Sequence, residues 1–168
     1  MPITPLSRIP ASIRKVSTPL PSWDLSIPWK KCCGKKNPTH IGIAFDPSGP
    51  TFRHEAYEAY KAQREETPEA IRQSVPIIKD IIRAYHIPIL EIAGYEADDV
   101  IGTLATEAGK RGINTYMMTP DKDYGQLVGE HVFMYRPKYG DKDFEVMGVE
   151  EVKAKFDIQS PLQVIDML

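Results

Sequence analysis

Hydrophobic positions in this chain fall into short apolar runs alternating with longer stretches of helical period, and the alternation starts abruptly at His40. His40 to Phe45 is apolar on both faces, the pattern of a strand buried in a parallel sheet, and it runs into Asp46 and a Pro47-Ser48-Gly49-Pro50 loop. Phe52 to Arg64 has helical spacing. A second helix is predicted behind Thr67-Pro68-Glu69, with Thr67 as N-cap and Pro68 at the first helical position, extending to about His86 with Pro76 in it or kinking it. Ile87 to Ile92 reads as a strand, Glu96 to Arg111 as a helix closed by Gly112, and Asn114 to Met118 as a further strand. Then come a short helix over Asp121 to Val128, strands over Val132 to Tyr135 and Phe144 to Val146, a helix over Val149 to Phe156, and a last helix opening behind Ser160-Pro161 and running to Leu168. Strands alternating with helices predict an α/β fold, a mostly parallel sheet flanked by helices. No internal repeat is visible.

Residues 1–36 have a different texture. Prolines at positions 2, 5, 10, 19, 21 and 28 stand among basic and serine residues with no period of either kind, so neither helix nor strand is expected there. The chain therefore divides into a Pro-rich segment, 1–36, and a folded part, 37–168. At 168 residues it has the length for one hydrophobic core and not for a second full domain.

A formal charge of −2 and a pI near 6.1 give no global basic signature, so any contact with nucleic acid must come from a local patch. The two cysteines, Cys32 and Cys33, are adjacent; they can neither staple distant segments nor supply a zinc site. That usage fits a reducing compartment, and no apolar run approaches the ~20 residues of a membrane helix. A soluble, cytoplasmic protein that does not engage membranes is expected.

Acidic residues recur where strands hand over to helices. Asp46 ends the first strand, Glu96, Asp98 and Asp99 open the helix after the second, and Asp121 and Asp123 follow the third. On a helix, Glu96 and Asp99 share a face and Asp98 lies about 100° from Asp99. One such acid at a helix start is explained by capping and the macrodipole. Three strand ends carrying carboxylates go beyond that need. In an open α/β sheet such ends can converge on one spot, and clustered carboxylates repel one another until a cation joins them. Hard divalent ions, Mg²⁺ or Mn²⁺, match an all-oxygen donor set.

Arg53, Lys61 and Arg64 lie close to one face of the predicted Phe52–Arg64 helix, with Tyr57 and Tyr60 between them. A solvated charged face is the ordinary meaning of such a set. Its place just after an acidic strand end gives it a second one, because cations there could contact phosphates of a DNA strand while the aromatics stack on a splayed base.

Three segments carry a family resemblance: FDPSGPTFRHEAYEAYKAQR from Phe45, GYEADDVIGTLA from Gly94 and TPDKDYGQLV from Thr119. Over roughly Asn37 to Leu168 the chain resembles the 5′ nuclease domain at the N-terminus of bacterial DNA polymerase I, which has a PIN-like fold. The resemblance implies a metal-dependent 5′-3′ exonuclease or flap endonuclease of replication and repair, acting as a monomer on DNA with a 5′ flap, nick or 5′ end. It also implies a two-metal site of Mg²⁺ or Mn²⁺ held, directly or through water, by Asp46, Glu96, Asp98, Asp99, Asp121 and Asp123. Arg53, Lys61, Arg64, Tyr57 and Tyr60 become DNA-contacting residues, and no protein nucleophile is needed. His40, His54, His86 and His131 are accordingly read as surface or capping residues.

Two parts of the family pattern have no match: a first strand with its own catalytic Asp, and a later stretch with further aspartates and a helix-hairpin-helix. The domain is thus expected to be incomplete at both ends, with low or no turnover; the alternative reading is an inactive remnant retaining weak metal or DNA binding. Moving the reading frame by one base across Pro19 to Lys36 is compatible with an amphipathic helical string like the one the family has there, so 1–36 reads as disordered or frameshifted. An unrelated metal-dependent phosphatase would use the same carboxylates but would leave Lys61 and Arg64 without a purpose.

Overall fold

A computed structural model describes residues 36–63, 67–137 and 144–167. The Pro-rich segment 1–36, apart from Lys36, lies outside the described residues, as does Arg64. The chain divides into two compact units, Met1–Gly94 and Tyr95–Leu168.

In the first unit, β1 (Ile43–Ala44) pairs in parallel with β2 (Ile89–Leu90), Ile43 opposite Ile89 and Ala44 opposite Leu90. Both strands are shorter than the apolar runs His40–Phe45 and Ile87–Ile92. Pro88 has no N–H to give, and its carbonyl accepts from Ile43 N–H at 3.0 Å, so the regular ladder opens only beyond it. The loop after Asp46 leads to α1 (Phe52–Ala56). Its N-cap Thr51 is buried and bridges Gly94, and Phe52 N–H donates to Gly94 O at 2.9 Å, which fastens the loop beside the end of β2. Gly94 has φ +84°, a backbone conformation that a side chain would strain.

The predicted helix over Phe52–Arg64 is corrected. Tyr57 is extended at φ −147°, residues 58–63 form turns, and Lys61 has φ 58°. No residue of α1 is buried, so no packed face sustains the helix beyond its first turn and a half. α2 (Glu69–Ala84) starts behind Pro68, which takes the N-cap place expected of Thr67, and keeps Pro76 in its interior. It buries Ile82, and Ile87 N–H closes back on Ile82 O at 3.2 Å. Lys79 Nζ reaches Glu91 Oε2 at 2.5 Å and lies 5.0 Å from the Phe45 ring centroid, tying the helix to the ends of both strands.

The second unit holds α3 (Ala97–Lys110), β3 (Thr115–Met118), a 3-10 segment Lys122–Leu127, β4 (Val132–Pro137), β5 (Phe144–Met147), α4 (Val149–Phe156) and a second 3-10 segment, Pro161–Met167. The two predicted helices over Asp121–Val128 and from Ser160 are therefore 3-10 rather than α. β4 lies between its partners, parallel to β3 and antiparallel to β5. The antiparallel step follows from the short connection through residues 138–143, since a parallel return needs a crossover of a dozen or more residues. Met117, Val132, Met134 and Met147 from the sheet join Ala105, Tyr124, Val128, Val152 and Val164 in one core. Among the described residues no helix is long and apolar enough to cross a membrane.

Candidate metal centre

The acidic residues at the start of α3 divide between two tasks. Glu96 is the N-cap, extended at φ −78° and ψ 160°; its N–H donates to Asp99 Oδ2 at 3.0 Å, and its backbone carbonyl accepts from Asp99 N–H at 3.1 Å. Their spacing of three puts both on one face of the first turn. Glu96 is buried. Asp98 lies round the helix from them, and its Oδ1 accepts the phenol proton of Tyr124 at 2.6 Å.

Asp121 and Asp123 open the first 3-10 segment. Asp121 is its N-cap, with Oδ1 accepting from Asp123 N–H at 3.0 Å, while Asp121 N–H donates to Thr119 Oγ1 at 3.1 Å. Partial burial, reinforced by the charges of Asp121 and Asp98, pushes the Asp123 carboxyl above the usual aspartate value, against a smaller opposing pull from Lys122. Asp123 thus feels both its neighbour Asp121 and Asp98 at the start of α3. Among the described residues, no group of three or more His, Cys, Asp or Glu side chains is drawn together closely enough to hold an ion as it stands. The donor set still fits a hard divalent cation: every donor is a carboxylate, and a cation would offset the negative charges that Asp121 and Asp98 place beside Asp123.

That repulsion gives a test in the metal-free protein. The folded state holds the Asp123 proton more tightly than the unfolded chain does, so stability should fall as pH rises from the ordinary aspartate value of 3.8 through the raised folded value, then level off. Asp123→Asn removes the ionising group. Thermal melting in EDTA should show the variant more stable than the wild type at neutral pH and level with it in acid; a variant less stable at neutral pH would contradict the repulsion.

The remaining site residues belong to the first unit. Asp46 is exposed after β1, next to a cleft lined by Pro47, Ser48, Gly49, Pro50, Glu91 and Gly94. Arg53 lies with its guanidinium carbon 4.5 Å from the Phe52 ring centroid, and Lys61 Nζ is 5.1 Å from that of Tyr60. Tyr60 meets the His54 ring edge-on at 5.2 Å, and Tyr57 is 66% exposed. With the helix ending at Ala56, Arg53 and Lys61 do not share a helical face. His54 takes the capping role: its Nδ1 accepts from Thr51 N–H at 3.2 Å and lies 2.9 Å from Thr51 Oγ1. Sequence reasoning passed over Tyr124. The only signal available was an aromatic residue directly after Asp123 in the TPDKDYGQLV run.

The sequence profile of the 5′-3′ exonuclease, N-terminal resolvase-like domain family matches residues 29–157, and the chain belongs to that family. The matched range includes all six acidic residues and begins inside the Pro-rich segment. The chain is 39% identical over 137 residues to DNA polymerase I of Bacillus caldotenax, covering 82% of this chain and 16% of that protein. It is 37% identical over 134 residues to a 5′-3′ exonuclease of Aquifex aeolicus, covering 80% of this chain and 45% of that one. It therefore spans less than half the length of either relative. T5 5′-exonuclease, solved with divalent zinc ions bound, shares the fold at a TM-score of 0.65 and 18% identity, over 82% of this chain and 53% of that one.

Proposed function

We propose that residues 37–168 are the catalytic module of a metal-dependent 5′-3′ exonuclease and flap endonuclease that hydrolyses DNA phosphodiesters during replication and repair. The observation that carries this reading is the grouping of Asp121 and Asp123 after β3 with Asp98 of α3, joined through the Tyr124 hydroxyl, in a chain of the 5′-3′ exonuclease family. Asp98, Asp121 and Asp123 would hold Mg²⁺ or Mn²⁺. Glu96 and Asp99 set the start of α3 and would complete the shell directly or through water, and Asp46 is assigned to the same chemistry by sequence pattern. When bound, such ions acidify an attacking water and neutralise charge growing on the scissile phosphate. The carboxylates fix where that charge is met, and they leave the negative DNA strand to be held by cations elsewhere.

Arg53 and Lys61, with Arg64 by sequence, are the phosphate-contacting set, and Tyr57 and Tyr60 offer faces to unstacked bases. Lys61→Ala should weaken flap cleavage and lower the slope of log affinity against log salt by about 1. An unchanged slope would remove Lys61 from the DNA-contacting set. The substrate is DNA with a 5′ flap, nick or 5′ end, bound by a monomer in the cytoplasm.

Binding without turnover is the second reading. It draws on the helix start, where the Asp99 carboxylate is already engaged by Glu96 N–H. Mg²⁺-dependent release of short oligonucleotides from a 5′-labelled flap favours the nuclease, and metal or DNA binding with no release favours the second reading. Hydrolysis of small phosphate esters in place of flaps would contradict both.

A further inference from the structure

We infer that Tyr124 is a positioning residue for the metal centre, holding the Asp98 carboxylate in the orientation that a divalent cation requires; this rests on the metal-dependent reading above. The ring of Tyr124 is 5% exposed and belongs to the core with Val152 and Val164. Gly125 beside it lets the 3-10 segment press on that core, for a Cβ there would meet Val164 Cγ2 at 3.3 Å and Val152 Cγ1 at 3.6 Å. Packing therefore fixes the ring before the hydroxyl does anything.

For the core alone, phenylalanine would serve as well. The hydroxyl is surplus to packing, and it is spent on a charge-assisted bond of 2.6 Å to Asp98 Oδ1, joining residues 26 apart in sequence. That bond links the start of α3 to the segment bearing Asp121 and Asp123. With Oδ1 held by the phenol, the rotamer of Asp98 is set, and so is the choice of oxygen it offers to a cation. Loss of a group that orients a ligand in this way commonly costs about 10–100-fold in metal affinity.

The test is calorimetric titration of the full chain with Mn²⁺ alone, beside Tyr124→Phe. The variant keeps the ring, so its melting temperature in EDTA should stay close to that of the wild type. Its Mn²⁺ affinity should fall roughly tenfold. A second readout is the near-UV tyrosine difference band on adding Mn²⁺, expected in the wild type and missing from the variant. Equal affinities, or a band that persists in Tyr124→Phe, would overturn the inference while leaving the metal-dependent reading intact. No Mn²⁺ binding by the wild-type chain would overturn both.

Discussion

Replacing Asp121 by asparagine is expected to slow Mg²⁺-dependent flap cleavage at least about a hundredfold while leaving the protein folded. A cation at a scissile phosphate is worth several kcal/mol of transition-state stabilisation, and each ~1.4 kcal/mol is tenfold in rate. Asparagine keeps the structural half of the residue. Its side-chain oxygen can still accept the Asp123 N–H that Asp121 Oδ1 now takes at 3.0 Å, and asparagine is among the best N-caps. What it loses is the negative charge that pushes on Asp123 and would bind the ion. Single-turnover rates with enzyme in excess over a 5′-labelled flap, read beside melting curves, separate the two halves. A variant that melts like the wild type and cuts at its rate would remove Asp121 from the metal centre.

The second large effect is on stability. Met134 has no exposed surface, and it lies on β4 between β3 and β5, facing Met117 on one strand and Met147 on the other. Met134→Ala deletes side-chain volume from the centre of the core, and the neighbours are held by strand pairing on both sides, so little of the cavity can close. A loss of about 2–5 kcal/mol is expected, a large fraction of the stability of a small domain. In urea unfolding the midpoint should drop while the slope stays the same. The functional consequence runs through β3, whose pairing with β4 supports the end from which Asp121 projects. A midpoint unchanged by the substitution would mean that this core is not the one that holds the second unit together.

Much of this architecture could be read from residue order. The helix over Val149–Phe156 has the bounds its pattern predicts, α3 is one residue shorter than predicted at each end, and β3 one residue shorter at its start. These segments bury a consistent face, so local pattern and tertiary packing agree. The failures lie where they part. The helical period continues to Arg64, but with nothing buried beneath α1 the helix ends at Ala56. The chain's return at β5 is antiparallel because its connection is short, which a count of strands alone does not reveal.

The site was legible to a similar depth. The spacing of Glu96 and Asp99 gave their shared face, but each oxygen's choice between helix N–H and cation depends on geometry that spacing does not carry. The Tyr124 to Asp98 bond connects residues that only folding brings together, so no local pattern announces it. His54, read from sequence only as a surface or capping residue, caps because it stands three positions after Thr51 at the start of α1.

The most direct test of the central claim is a single-turnover assay of the purified chain, in excess over a 5′-labelled flap duplex, with Mg²⁺ and with EDTA. Slow release of short 5′ oligonucleotides in Mg²⁺, absent in EDTA and lost in Asp123→Ala, is the predicted result. Release that persists in EDTA, or that survives Asp123→Ala unchanged, would contradict it.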